Sequence, residues 1–409
     1  MKVPLSKPDI SEREIEYVTD VLRSGRLSLG PKLKEFEEKF AAFSGARYAV
    51  ATSSGTAALH LCVRALGIGP QDEVITTPFS FVASTNCILY EGASPVFLDI
   101  DPLTLNIDPK QVRRFLRQCC GLDSRRGVIV DKTTGRTVRA ILPVHVFGLP
   151  CDMDPIMDLA QQYGLSVIED ACEALGAEYR GRPVGTFGDA AVFAFYPNKQ
   201  MTTGEGGMIV TDSEEIAQVC RSLRNQGRDE GTSWLRHDRL GFNYRLSDVH
   251  SALGIAQLER IDELLAARER AASLYAQALE KNASIQIPSE FDGFKRSWFV
   301  YVVQLNLASP RATRERIIAR LRECGIECQA YFPAIHKQSY LAGKVRMPLG
   351  PLFRAEAASD RCFAIPFFSG ITAAEIQFVA DSLSAILEEG LVLAPHAGRA
   401  SDFAAGRAQ

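Results

Sequence analysis

The sequence lacks the features that mark several large classes of protein. No apolar run reaches the roughly 18 residues of a membrane-spanning helix, and the N-terminus MKVPLSKPDISEREIE has no apolar signal core. The ten cysteines form no paired CxxC spacing and the six histidines form no HExxH motif, which argues against a bound metal such as zinc. The 46 basic and 49 acidic residues are mixed throughout, so nucleic acid is a poor partner. We therefore expect a protein of the reducing cytoplasm that engages neither membrane nor nucleic acid.

Short apolar runs that alternate with helical stretches dominate the first half of the chain. With 409 residues, 46% of them hydrophobic, the chain is long enough for two or three domains. Alternating helices and buried strands predict an α/β layered domain with a mainly parallel sheet. The predicted strands cover residues 48–52, 73–77, 95–99, 140–146, 166–169, 190–195 and 207–211.

The predicted helices begin at the N-terminus. Residues 11–24 have a helical period with Ser11 as the N-cap, and a second amphipathic helix covers residues 32–43. The apolar face predicted for the first helix consists of Ile15, Val18 and Leu22.

Composition changes mark the expected domain limits. Residues 119–138 interrupt the alternation with two β-rich pieces around Thr-Thr-Gly, which predicts an inserted hairpin. From about residue 248 a long helical stretch rich in Ala, Leu, Glu and Arg is expected to bridge two domains. We predict a large domain over residues 1–250, a smaller C-terminal α/β domain over 251–390, and a loose tail over 391–409.

One lysine lies between two of the predicted strands. Lys199 follows the apolar run 190–196 and precedes a Thr-Thr-Gly-Glu-Gly-Gly segment and the run 207–211. A lysine presented near glycines, which let another molecule approach the backbone, is placed to form a Schiff base. The alternative is a solvated lysine in a β-hairpin loop.

Three further segments hold the other parts of such a site, each with a plainer alternative. Residues 53–66, SSGTAALHLCVRAL, predict a turn that opens a helix and cradles a phosphate, or simply a capped helix. Asp170 ends a strand, where its carboxylate can pair with the pyridine nitrogen of a bound ring or cap a following helix. Glu169 points to the other side of the strand and is interpreted as structural. Phe81 follows a strand and can stack on a flat ring or pack in the core.

Taken together and in this order, the motifs of the chain closely resemble the DegT/DnrJ/StrS family of pyridoxal-phosphate-dependent sugar aminotransferases. The resemblance runs from about Pro4 to about Leu387 and implies the aspartate aminotransferase architecture, fold type I. That fold has a large three-layer α/β/α domain and a smaller C-terminal α/β domain. The matching motifs include SSGTAALH, PFSFVAS, PVHVFG, IEDACEALGA, FYPNKQMTTGEGG, GFNYRLSD and YFPAIH.

The resemblance assigns roles residue by residue. It makes Lys199 the Schiff-base lysine of pyridoxal 5'-phosphate and Asp170 the partner of the pyridine nitrogen. It places Phe81 over the ring and Gly55 and Thr56 at the phosphate. The residues it places elsewhere are Asn243, which reaches the cofactor of the neighbouring subunit in an implied homodimer, Glu173 beside the ring oxygen, and Ser28, Tyr331 and His336 near the sugar.

Two positions depart from the family pattern. Many relatives have a serine that touches the phosphate where this chain has Ala194, so one contact is lost or replaced. Relatives often have Gln or His where this chain has Glu173, and a carboxylate there is unfavourable unless it is protonated or turned away.

The resemblance implies transfer of an amino group from glutamate or glutamine to a keto group of a nucleotide-linked deoxysugar. Alternatives are a transaminase acting on a cyclitol ketone, a sugar dehydratase on the same scaffold, or a regulatory protein without catalysis. Relatives that are dehydratases have histidine in place of the lysine, so Lys199 argues against that chemistry. The loop at 228–240 contains Arg and His that could meet a diphosphate or simply be solvated.

Overall fold

The structure is a computed structural model that describes residues 1–229, 236–306 and 310–392. Its α-helices are α1 (Glu12–Ser24), α2 (Pro31–Ser44), α3 (Gly55–Ala65), α4 (Ala83–Tyr90), α5 (Pro109–Gln118), α6 (Met153–Tyr163), α7 (Glu214–Arg224), α8 (Asp248–Leu258), α9 (Ile261–Leu279), α10 (Pro310–Glu323), α11 (Phe353–Arg361) and α12 (Ala373–Val392).

In the first half of the chain, six of the seven predicted strands lie within two residues of their predicted ends, whereas the strand predicted at 140–146 lies at residues 137–141. The strands of the structure are β1 (Tyr48–Thr52), β2 (Asp72–Thr76), β3 (Ser94–Phe97), β4 (Cys120–Asp123), β5 (Val128–Asp131), β6 (Thr137–Ile141), β7 (Ser166–Asp170), β8 (Glu178–Tyr179), β9 (Arg182–Pro183), β10 (Ala190–Ala194), β11 (Gly207–Thr211), β12 (Ile285–Gln286), β13 (Phe294–Lys295), β14 (Tyr301–Leu305), β15 (Gln329–Ala330) and β16 (Cys362–Ile365).

A nine-stranded sheet forms the centre of the molecule. Its main order is β1–β11–β10–β7–β6–β2–β3, and the hairpin β4–β5 joins it beside β6. The neighbours from β10 to β3 pair in parallel, whereas β11 is antiparallel to both β1 and β10. Strands covered on both faces need apolar side chains at nearly every position, which is why they read as short continuous apolar runs.

Helices cover both faces of this sheet. Val192 and Ile209 point to the face that packs against α3, α4 and α7. Phe193 and Met208, one residue along each strand, point to the opposite face, which packs against α2 and α8. Val167 of β7 points to the same face as Phe193 and Met208 and packs there against α5 and α6. The predicted three-layer α/β/α fold is confirmed.

A second, smaller sheet lies in the C-terminal half. Its four strands run in the order β12–β14–β16–β15, all antiparallel, and share a core with α9, α10 and α12. Val3 bridges to Ile326 and is buried in the same core, so the first residues of the chain pack with this sheet. The domain limits at 250 and 390 remain predictions, and of the predicted tail only residues 391 and 392 are described. Within the described ranges, no helix is both long and apolar enough to cross a membrane.

The apolar face predicted for the first helix was wrong. Ser11 forms the expected capping box with Glu14, but Ile15 and Leu22 are 50% and 56% exposed, whereas Glu14 and Val21 are buried. The Glu14 carboxylate accepts a hydrogen bond of 2.9 Å from Gln257 Nε2 and pairs with Arg260. This buried ion pair, which apolar periodicity cannot reveal, sets the rotation of α1.

The long bridging helix is two helices. α8 ends at Leu258 and α9 begins at Ile261, with Arg260 outside the helical conformation at φ −112°. The Arg260 guanidinium bonds to Asp9 and Glu14 near the N-terminus as well as to the first turn of α9. Tertiary ion pairs therefore interrupt a stretch whose residues all favour helix.

The insertion at 119–138 contains the predicted hairpin, but its turn lies elsewhere. β4 and β5 are joined at residues 124–127, and the Thr-Thr-Gly turn instead connects β5 to β6 of the main sheet. Asp131 at the end of β5 and Glu73 in β2 are fully buried and both accept from the Arg346 guanidinium. The insertion thus helps to hold the segment around Arg346 against the main sheet, where Arg346 N donates to Pro95 O.

We predict that Arg346→Met lowers the free energy of unfolding by about 3 kcal/mol, because it leaves two buried carboxylates without a counter-charge. Burial already raises the pKa of Glu73 against the opposing effect of Arg346. The loss should therefore shrink as the pH falls and the orphaned carboxylates take up protons. Urea unfolding between pH 5 and 8 measures this. Arg320→Met, which breaks a surface pair with Glu389, is the control and should change little; an equal loss in both variants would contradict the prediction.

Candidate functional site

A cavity of about 420 Å³ opens where β1, β7 and β10 end beside the N-terminus of α3. Sheets with parallel strands place ligands at this edge. Seven of the ten predicted site residues line the cavity. They are Gly55, Thr56, Phe81, Asp170, Glu173, Lys199 and Tyr331.

The first turn of α3 forms one wall of the cavity. Ser54 caps the helix by accepting from Ala57 N at 3.1 Å. A Cβ on Gly55 would lie 2.8 Å from Ala194 Cβ and 3.0 Å from Cys172 Sγ, so this position has no room for a side chain. The free amides of a helix N-terminus beside a glycine make a suitable seat for a phosphate. Ala194 also lines the cavity, and the hydroxyl groups of Ser54 and Thr56 line it on the same side.

Lys199 lies on the turn between β10 and β11, and its side chain is only 13% exposed. The solvated-loop alternative is therefore excluded. Its backbone carbonyl accepts a 2.7 Å hydrogen bond from Arg268 of α9. Its Nζ lies 3.8 Å from the centroid of the Phe299 ring and 3.9 Å from Glu173 Oε1.

Asp170 ends β7 and is 6% exposed in the cavity. No helix follows it: residues 171–177 form turns, so the helix-cap alternative is excluded. Its Oδ1 accepts from Cys172 N at 3.2 Å. Burial raises the pKa of the Asp170 carboxyl, with the Cys172 and Lys199 groups opposing that rise. A cationic partner in the cavity would keep this carboxylate ionised.

Glu169 faces away from the cavity, as the strand alternation predicts. It is fully buried and accepts hydrogen bonds of 2.7–2.9 Å from the amides of Gly185, Phe187 and Gly188. Its Oε2 also lies 3.2 Å from Nε2 of the buried His145. Burial alone would raise the pKa of Glu169, but His145 and these amides together lower it. Glu169 therefore fixes the strand end that presents Asp170.

Phe81 is 60% exposed at the cavity, whereas Phe79, two residues earlier, is fully buried. Core packing is thus the role of Phe79, and Phe81 presents its ring to the site.

Glu173 is 6% exposed and its Oε2 accepts from Phe147 N at 2.9 Å. Burial raises the pKa of Glu173 to about 7, against the opposing effect of Lys199. One oxygen is thus directed to a backbone amide, and the group takes up a proton near neutral pH.

Three predicted residues lie outside the lining of this cavity. Asn243 is exposed and bridges to Asn225, and Ser28 is exposed in the loop before α2. His336 is half-buried, with Nε2 3.0 Å from Glu356 Oε1, while its Nδ1 has no hydrogen-bond partner among the described residues. Of the predicted loop 228–240, residues 230–235 lie outside the described part of the chain.

The sequence reasoning missed several lining residues. Tyr196, Asn198 and Glu205 flank Lys199 in the chain and could have been named from that proximity. Phe299 precedes β14, a hundred residues later, and no local pattern indicates that it reaches the lysine.

Known proteins resemble this chain over nearly its whole length. Residues 8–384 match the sequence model of the DegT/DnrJ/EryC1/StrS aminotransferase family. The chain is 37% identical over 388 residues to GDP-perosamine synthase of Caulobacter vibrioides, covering 94% of this chain and 98% of that protein. It is 36% identical to the spore coat polysaccharide biosynthesis protein SpsC of Bacillus subtilis, covering 94% and 97%. The PMP form of Spr1654 from Streptococcus pneumoniae superposes with a TM-score of 0.85 at 25% identity, covering 95% and 100%.

We predict that Glu169→Gln lowers the free energy of unfolding by about 2–3 kcal/mol, because an amide cannot accept from all the buried donors that the carboxylate satisfies. The folded-state pKa of Glu169 is depressed, so its contribution is complete above the unfolded value and is lost as the pH falls. Thermal unfolding of the two proteins should therefore converge below about pH 4. Glu178→Gln, at an exposed pair with Lys295, is the matched control. A constant difference down to the lowest pH would contradict the assignment.

Proposed function

The chain belongs to the DegT/DnrJ/EryC1/StrS aminotransferase family, and from this premise we propose that it moves an amino group from glutamate or glutamine to a keto group of a nucleotide-linked deoxysugar. The observation that carries the proposal is the meeting of Lys199, Asp170 and the first turn of α3 in one cavity. Pyridoxal 5'-phosphate is the proposed cofactor, alternating with its amine form.

The cavity fits this cofactor on three observations. The first turn of α3 lines the cavity and packs closely on Ala194 and Cys172 at Gly55, so the amides of a helix N-terminus are available to a phosphate. Asp170 is a buried carboxyl whose pKa burial raises against the opposing effect of Lys199, and a protonated ring nitrogen beside it would favour its ionised form. Phe81 offers an exposed ring face. When bound, the cofactor supplies an electron sink for the carbon from which a proton is removed.

Each of these residues of the chain has its own proposed role. Lys199 would hold the cofactor through its Nζ, and the same amine, once free, would take the proton from the donor's α-carbon. Asp170 would pair with the protonated ring nitrogen, and Phe81 would lie against the ring. Arg268 fixes the backbone of Lys199 through the bond to its carbonyl oxygen.

The choice of acceptor follows the relatives. One is named GDP-perosamine synthase and another a spore coat polysaccharide biosynthesis protein, which favours a nucleotide-linked sugar and a role in amino-sugar or polysaccharide synthesis. Lys199 stands where sugar dehydratases of the resembling family have histidine, which disfavours the dehydratase. The cyclitol ketone remains the second candidate acceptor.

The remaining assignments concern the assembly and the substrate. Asn243 is exposed and outside the cavity lining, as expected of a residue that completes the site of a second subunit in a homodimer. Tyr331 lines the cavity and is proposed, with Ser28 and His336, to contact the sugar. All ten cysteines are free thiols, which supports a cytoplasmic location.

We predict that the purified protein shows the absorbance band of a lysine-bound cofactor and that excess L-glutamate shifts this band to that of the amine form. Lys199→Ala should lose both the band and at least about a thousandfold in transamination, because both steps need its amine. Spectra before and after glutamate, followed by an assay with ketosugar acceptors, test this. Retained turnover in Lys199→Ala would overturn the lysine assignment.

We predict that mixing two inactive variants, Lys199→Ala and Asn243→Ala, restores activity. A hybrid dimer has one site with both native residues, so random exchange should return about a quarter of the wild-type activity. Subunits are mixed at low denaturant, dialysed and assayed. If Asn243 serves its own subunit's site, the mixture stays inactive and the shared-site proposal fails.

A further inference from the structure

The Lys199 ammonium rests against two side chains that come from other parts of the fold. Its Nζ lies 3.9 Å from Glu173 Oε1 and 3.8 Å from the centroid of the Phe299 ring. Glu173 follows β7 and Phe299 precedes β14, so the main sheet and the C-terminal region each supply one wall. The charged groups are 13% and 7% exposed, so solvent screens their attraction only weakly.

Glu173 is held in place independently of the lysine. Phe147 has φ 54°, a conformation that bulky residues rarely adopt, and its N–H donates to Glu173 Oε2 at 2.9 Å. The Glu173 carbonyl accepts from Gln200 Nε2 at 2.7 Å. With its backbone and one oxygen fixed, Glu173 presents the other oxygen to the amine at a set position.

Of the titratable groups described around Lys199, Glu173 is the one that serves as the counter-charge of the ammonium. Burial raises the pKa values of Tyr331 and Cys172 far above neutrality, so both are uncharged. Asp170 lines the same cavity, and its negative charge disfavours ionisation of Glu173. Glu205 also lines the cavity but is exposed, with no ion pair to Lys199 among the described contacts.

We propose that Glu173 and Phe299 form a resting site for the Lys199 ammonium, which the lysine occupies when its amine is neither covalently linked nor transferring a proton. This inference rests on the proposed function, in which Lys199 alternates between a linked and a free state. In the resting site the amine is protonated, unreactive and held inside the cavity. Before the amine attacks, Nζ must lose one proton. Glu173 Oε1, which burial has made able to accept a proton near pH 7, can take it once the two atoms close from 3.9 Å to hydrogen-bond distance.

The proposal gives a reason for the departure at this position. A neutral glutamine or histidine beside the ring cannot pair with the free ammonium as a carboxylate does. A glutamate that is neutral while the lysine is linked, and charged while the lysine is free, avoids leaving an unpaired charge in either state.

The test measures how fast Lys199 is acetylated by acetic anhydride, which reacts with the unprotonated amine, in the full-length chain freed of cofactor. Mass spectrometry of the peptide that contains Lys199 gives the rate. Because the carboxylate favours the unreactive ammonium, Glu173→Gln should raise the rate roughly tenfold at pH 8. At pH 6, where Glu173 is itself protonated, the ratio should approach one. Phe299→Leu should raise the rate about two- to threefold by removing the cation–π contact.

Glu205→Gln is the matched control, since it removes a carboxylate from the same cavity without an ion pair and should leave the rate unchanged. The resting site is overturned if Glu173→Gln changes the rate less than twofold at pH 8, if the ratio is the same at pH 6, or if Glu205→Gln has an equal effect. Circular dichroism checks folding. Should Glu173→Gln not fold, Phe299→Leu decides, and an unchanged rate in that variant overturns the proposal.

Failure of the resting site can be distinguished from failure of the proposed function. If the labelling follows the prediction but pyridoxal 5'-phosphate does not attach to Lys199, the proposed function fails and, with it, the alternation on which the resting site rests. If the cofactor attaches and glutamate converts it while the labelling is insensitive to Glu173, only the resting site fails.

Discussion

A single, largely buried ammonium group that shares a cavity with two carboxyl groups is the constraint on which the site depends. Lys199 is 13% exposed, and a charge in such a position is stable only when an opposite charge lies nearby. Asp170 and Glu173 line the same cavity, and burial raises the pKa of each against the opposing effect of Lys199. Lys199 therefore favours the ionised form of both carboxyl groups, whereas the charge of Asp170 disfavours ionisation of Glu173.

Such a cluster is possible because the surrounding backbone is held by polar groups that have no part in the chemistry. On the side of β7 that faces away from the cavity, the Glu169 carboxylate hydrogen-bonds to three backbone amides and a histidine. Arg268 reaches from α9 to the carbonyl oxygens of Lys199 and Phe299, which ties the lysine turn to the segment that leads into β14 of the second sheet. The C-terminal half is thus part of the site, since its position fixes both a wall of the cavity and the backbone of the lysine.

The two cavity carboxylates have environments suited to different tasks. Asp170 lies at the end of β7 in the cavity, and the proposed function assigns it to the cofactor. Glu173 has one oxygen fixed by an amide and the other near the amine, and we assign it to the lysine. Division of labour between two nearby carboxyl groups with different surroundings is a recurring solution in enzymes. Under the proposed function, this division would let the lysine be linked and released without an unpaired charge.

The sequence by itself determined the alternation of buried strands and helices, the glycine turn before α3, and the order of motifs around Lys199 and Asp170. These are local patterns, because a strand or a capped helix is encoded within a few residues. Only the tertiary structure decided the rotation of α1, the break at Arg260 and the approach of Phe299 to the lysine. Each of these depends on ion pairs or contacts between residues far apart in the chain. Hydrophobic periodicity shows which residues of a segment are apolar. It does not show which distant charge or ring each residue contacts in the folded chain.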